Sequence, residues 1–95
     1  MKVVVDSNLA IQGLFEPPVE LSFNGESHTL KGLLEKVGSM CSSIQLLKDG
    51  AIGDDIRNII VNGKEYFDLP QGLATALKDG DHVHLEIYME PLGGG

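Results

Sequence analysis

The sequence predicts an α+β domain in which a mixed sheet wraps over one main helix. Three observations carry that expectation. A single stretch sustains a helical period, with Leu30, Leu33, Leu34 and Val37 falling at i, i+3, i+4 and i+7. Several other stretches alternate apolar and polar residues or run β-branched, as strands do. The turn pairs Asn24-Gly25, Asn62-Gly63 and Asp79-Gly80 separate them. One apolar helix stripe among several strands is best buried against the face of a sheet.

Taken in order, Lys2 to Val5 reads as a fully buried, β-branched strand. Val19-Glu20-Leu21-Ser22-Phe23 alternates strictly, which puts Val19, Leu21 and Phe23 on one face, and Asn24-Gly25 closes that strand. The intervening SNLAIQGLFEPP is too long for a two-residue hairpin turn, so a helical turn or bulged connection is expected around Leu9, Ala10, Ile11, Leu14 and Phe15. Thr29 reads as the helix N-cap, Lys31, Glu35 and Lys36 take the wet side, and Gly38 supplies the stop. Gly32 costs the helix about 1 kcal/mol against alanine, so tertiary packing has to hold it. Four buried aliphatic side chains, at roughly 1.5–3 kcal/mol each, are sufficient.

Ser39 to Asn58 reads as a connection around Asp49-Gly50 with room for a helical turn. Ile59-Ile60-Val61 is a strand, Asn62-Gly63 a type I′ turn, and Glu65-Tyr66-Phe67 the return strand. Leu73 to Leu77 is a short turn, and Asp79-Gly80-Asp81 leads tightly into a last strand, Val83 to Tyr88. There Val83, Leu85 and Ile87 alternate with His82, His84, Glu86 and Tyr88. With one helix among the strands, the compact solution sets the first and last strands side by side and parallel at the sheet centre. That arrangement is the β-grasp, or ubiquitin-like, roll. Residues 1–90 are expected to form it, and residues 91–95 a flexible C-terminal diglycine tail.

The bulk properties narrow the function classes. Ninety-five residues fit one domain. A net charge of −7 argues against nucleic acid or an anionic membrane surface, both of which select a basic footprint, and favours a basic protein partner. The opening MKVVVDSNLAIQ has too short an apolar run for a signal peptide, and Asp6 interrupts it. Cys41 is the only cysteine, so no internal disulfide can form, and a cytoplasmic domain is expected.

IIVNGKEY, then GLATALKDGDHVHLEIY, then the terminal PLGGG together resemble the small sulfur-carrier family of β-grasp proteins, the MoaD/ThiS-like family. That family includes the molybdopterin-synthase small subunit and the thiamine-pathway carrier. The resemblance runs from about Lys31 to Gly95. It departs from the family pattern at Asp6-Ser7-Asn8, after the first strand, and at Met89-Glu90-Pro91, before the tail. Gly93 stands where a small residue such as Ser or Ala is usual. The resemblance implies a protein co-substrate rather than an enzyme. Gly95, reached through Gly94, would be adenylated by a ubiquitin-activating-type partner that uses ATP, then converted to a thiocarboxylate for a sulfur-accepting synthase subunit. It implies no cofactor bound to this chain. Molybdopterin biosynthesis is the favoured pathway; thiamine, cysteine or another sulfur metabolite is the alternative.

The residues explain why such an end suits the task. The terminal carboxyl, with a pKa near ~3.5, is a carboxylate at neutral pH and a poor acyl electrophile until activated. Gly93, Gly94 and Gly95 carry no side chain to obstruct a narrow channel. A ubiquitin-like modifier, joined through Gly95 to a target lysine, has the same requirements. A plain binding module with an idle tail is the third class, and loss of Gly94 and Gly95 would then have no consequence. His82 and His84 share a strand face, but only His28 and Cys41 could add soft ligands and no ligand spacing is present, so no metal site is expected. Cys41 reads as an ordinary small side chain, and Asp54, Asp55, Asp79 and Asp81 as solvated turn residues.

Overall fold

The computed structural model describes residues 1–24, 28–41 and 44–88. The alternation of Val3 and Val5 with more exposed neighbours makes β1 (Lys2–Ser7), which pairs antiparallel with β2 (Val19–Ser22). A two-residue β3 (His28–Thr29) leads directly into α1 (Leu30–Met40). Then come β4 (Leu47–Lys48), β5 (Ala51–Ile52), β6 (Ile56–Val61) and β7 (Lys64–Glu65). Two 3-10 turns, Tyr66–Asp68 and Gly72–Ala74, precede β8 (Ala76–Leu77) and β9 (His82–Ile87).

β2, β1, β9, β6 and β7 form, in that order, a five-stranded sheet. β1 and β9 run parallel, with Val5 beside Val83 and Ser7 beside Leu85. The expected central pair of first and last strands is therefore present. β9 pairs antiparallel with β6 on its other side, through a register shift between Ile56 and Asn58.

Thr29 caps α1 as its sequence predicts: its Oγ1 accepts the Gly32 N–H at 3.3 Å. The Leu30 N–H, another donor left over at the helix start, goes to the Thr75 carbonyl. Leu30, Leu33, Leu34 and Val37 are all buried and join Val3, Val5, Ile59, Val83 and Leu85 in one core. Phe15, from the loop between β1 and β2, is buried with them. That loop closes on itself through reciprocal backbone bonds between Ile11 and Phe15, an isolated antiparallel bridge across a turn in place of the expected helical turn or bulge.

Four further expectations are corrected. The first strand is not fully buried: Val3 and Val5 have no exposed surface, but Val4 is only half-buried, because the helix covers just one face of the sheet. Gly38 does not end the helix, which continues to Met40 and is capped by the Cys41 N–H bonding the Val37 carbonyl. A Cβ there would meet only Leu46 Cδ1, at 3.9 Å, an ordinary van der Waals contact, so packing does not require the glycine. The connection around Asp49-Gly50 is a small β4–β5 hairpin rather than a helical turn, with φ of 52° and 80° at its corner, as a type I′ turn requires. The return strand after Asn62-Gly63 ends at Glu65, and Tyr66 and Phe67 turn away in 3-10 conformation. The Gly25 half of the Asn24-Gly25 pair and the boundary at residue 90 lie outside the described residues.

Candidate functional site

β9 delivers the chain toward its C-terminus from the centre of the sheet. Its inward residues Val83, Leu85 and Ile87 are buried, which anchors it through the core, and Tyr88 stands 61% exposed at its end. Gly94 and Gly95, the expected reactive residues, and Gly93 before them lie outside the described residues. What the structure describes is the base from which they extend.

That base is held from two sides. The Asn8 side chain, just past β1, accepts the Ile87 N–H through Oδ1 at 2.8 Å and donates from Nδ2 to the Ile87 carbonyl at 2.9 Å. A carboxamide offers a donor and an acceptor in one plane, so it substitutes for a further rung of the parallel β1–β9 ladder. On the other side the Tyr88 N–H donates to the Asp55 carbonyl at 2.9 Å. The Asp55 carboxylate in turn accepts the Gln45 N–H at 2.6 Å. Neither residue stood out as functional in the sequence. Asn8 was visible only as part of a departure from a family pattern, and Asp55 as half of an acidic pair. The available signal was an Asn directly after a strand, where its side chain competes well for backbone partners.

The turn acids also do more than face solvent. Asp79 accepts the Lys2 N–H at 2.8 Å, and Asp81 accepts from Lys78 N–H at 2.7 Å and Asn62 Nδ2 at 3.0 Å. They tie the turn before β9 to β1 and to the β6–β7 hairpin. Asp54 lies 3.5 Å from Lys48 with both side chains exposed, a pair worth little to stability.

His82, His84 and Glu86 share the outer face of β9, as alternation requires. His84 Nδ1 lies 3.8 Å from Asp6 Oδ2 on β1, and the same histidine sits in register beside Ile60 of β6. The remaining soft ligands are elsewhere: His28 packs on Phe23 at 4.9 Å between ring centroids, and Cys41 is buried at the helix end. Among the described residues no three His, Cys, Asp or Glu side chains converge on a metal position. Burial pushes the Cys41 thiol up from its ordinary pKa, the reverse of an activated nucleophile. No helix among the described residues is long and apolar enough to cross a membrane.

No family model matches the chain, and no curated protein matches its sequence. Solved structures do. The HVO 2177 protein of Haloferax volcanii matches with a TM-score of 0.70 at 23% identity, over 100% of this chain and 87% of that one. SAMP1 of the same organism matches with a TM-score of 0.66 at 19% identity, over 100% of both chains. The fold is the ubiquitin-like β-grasp. The small archaeal modifier protein 1 of Methanosarcina acetivorans has the same β-grasp topology to a TM-score of 0.66, at 24% identity over 99% of this chain and 96% of that one. These likenesses concern the β-grasp itself, since the identities are low. In this β-grasp, the chain leaves a central strand whose last residues are hydrogen-bonded on both flanks.

Proposed function

We propose that the chain is a β-grasp sulfur carrier whose C-terminal glycine, Gly95, is activated by a partner of the ubiquitin-activating type. The observation that carries this reading is the pairing of a β-grasp fold with a chain that continues from its central strand into PLGGG. The Gly95 carboxylate attacks the α-phosphate of ATP, expelling pyrophosphate and forming an acyl-adenylate. A hydrosulfide then displaces AMP to give the thiocarboxylate; if a persulfide attacks instead, a thiol must reduce the resulting acyl disulfide. ATP and the sulfur donor belong to the partners, so this chain serves as co-substrate.

The chain's own contribution is positional. Three successive glycines let the carboxylate enter a channel too narrow for side chains. The folded domain supplies the docking surface, and its net charge of −7 fits a basic partner. Within this class the molybdopterin pathway is favoured by the run GLATALKDGD, with a sulfur-accepting synthase subunit as the second partner.

A second reading, as a protein modifier, is favoured by the name of one structural neighbour, small archaeal modifier protein 1. It shares the adenylation step and differs in the acceptor, a lysine amine that displaces the activated acyl group to form an isopeptide. Intact-mass measurement on protein isolated from its native cell separates the two. A single sulfur-for-oxygen exchange at the C-terminus supports the carrier. Conjugates joined through Gly95, without that exchange, support the modifier. An unaltered mass and no conjugates would overturn both.

A further inference from the structure

The Asp6-Ser7-Asn8 segment stands where the sequence leaves the family pattern, and the structure gives it a use. Its residues stitch one another into place. Asp6 Oδ1 accepts the Ser7 N–H at 2.8 Å, and Ser7 Oγ accepts the Leu9 N–H at 3.0 Å while lying 3.5 Å from Asn8 Oδ1. The Asn8 carboxamide is thereby presented to Ile87, which it grips by both backbone groups. Two bonds to one residue fix orientation as well as position, where a single bond would allow rotation.

We infer that Asn8 is a positioning residue for the C-terminal carboxylate: it sets the direction in which the chain leaves β9. The inference rests on the reading of Gly95 as the reacting group. Seven residues, Tyr88 to Gly94, lie between Ile87 and Gly95, so fixing the chain at Ile87 limits the volume the carboxylate must search. Ordering the base before docking lowers the cost of bringing the carboxylate to the α-phosphate. Tyr88, bonded to Asp55, shares the load on the opposite flank, so removal of Asn8 loosens the exit without unpairing β9 from β6.

The test compares the unaltered chain with Asn8→Ala and with Leu33→Ala, a helix-stripe variant that should lose at least as much stability but removes no hydrogen bond to Ile87. The Ile87 and Tyr88 amides are followed by hydrogen exchange. ATP–pyrophosphate exchange is measured with the ubiquitin-type adenylating enzyme of the source cell and labelled pyrophosphate. Asn8→Ala should speed exchange of the Ile87 amide and lower kcat by about 10- to 100-fold, with KM changed by less than about threefold because the docking surface is intact. Leu33→Ala should keep the parent kcat at a temperature where it remains folded. Unchanged amide exchange in Asn8→Ala, or a kcat equal to the parent's, would overturn the positioning role. An unaltered chain that supports no pyrophosphate exchange would overturn the underlying carrier reading itself, and the positioning role with it.

Discussion

Val5 and Val83 lie side by side in parallel register, and neither has exposed surface. One belongs to the first strand and the other to the last, so the centre of the sheet forms only when the two ends of the sequence meet. The helix between them in sequence then covers the inner face with Leu30, Leu33, Leu34 and Val37. Such a core responds to damage at any contributor.

Leu33 and Leu34 are fully buried, so truncating either leaves a cavity beneath the sheet. Leu33→Ala or Leu34→Ala should each lower the unfolding free energy by about 2–5 kcal/mol. Urea denaturation of the purified variants checks this, and a loss below ~0.5 kcal/mol at both sites would be too small for buried core positions.

Gly53 is buried where the loop from the β4–β5 hairpin crosses back, and its N–H bonds the Leu46 carbonyl at 2.8 Å. A Cβ there would approach the Gln45 carbonyl oxygen to 2.3 Å, a contact with backbone that no rotamer can relieve. Gly53→Ala should cost about 1–3 kcal/mol or more by overpacking, and should displace the Gln45 and Leu46 resonances in an amide spectrum. An unshifted spectrum with parent stability would contradict the geometry.

Cys41 supplies a pH dependence whose sign follows from burial. The folded state holds the thiol proton at pH values where the unfolded chain, with an ordinary pKa near ~8.5, has released it. The native state then binds more protons than the unfolded state, so stability falls as pH rises. The contribution is complete below the unfolded pKa and is lost as pH climbs through the folded one. Urea midpoints at neutral and alkaline pH should decline more steeply for the parent than for Cys41→Ala. Equal slopes would mean that the thiol titrates alike in both states.

The carrier and modifier readings predict that stability and activity separate at the terminal glycine. Gly95→Ala sets a methyl beside the reacting carbon, and deletion of Gly95 moves the carboxylate by up to ~3.5 Å. Unfolding midpoints should match the parent, since glycine has no side chain to bury. Adenylation should fall steeply, because a misplacement of about 1 Å can already cost ~10²-fold. A deletion variant that exchanges pyrophosphate at the parental rate would remove the basis of both readings.

The acidic balance has a kinetic consequence. With a net charge of −7, association with a basic activating enzyme should slow as salt rises, because screening shortens the reach of the attraction. Stopped-flow association at low and high ionic strength measures this directly. A salt-independent rate would assign the charge to solubility alone.

By itself the sequence determined the elements whose signal is local and repeated. The Leu30 to Val37 stripe, the Thr29 cap, the Asn62-Gly63 turn and the alternation of β9 each follow from side-chain periodicity or from the φ a turn demands, and each is where it was expected. From these few pieces one helix and a set of strands had to close as a β-grasp, because that is how a single apolar stripe is buried. The tertiary structure alone decided what depends on a partner distant in the chain. Gly38 reads as a stop, yet it is an interior helical position, and the helix ends only where Cys41 bonds back to Val37. Asp49-Gly50 turns a hairpin too short to show a strand period. Asn8 and Asp55 resemble ordinary loop residues until folding brings Ile87 and Tyr88 between them. Their role is a matter of hydrogen bonds between the chain's two ends, and a polar side chain does not record in its own sequence which distant backbone it will meet.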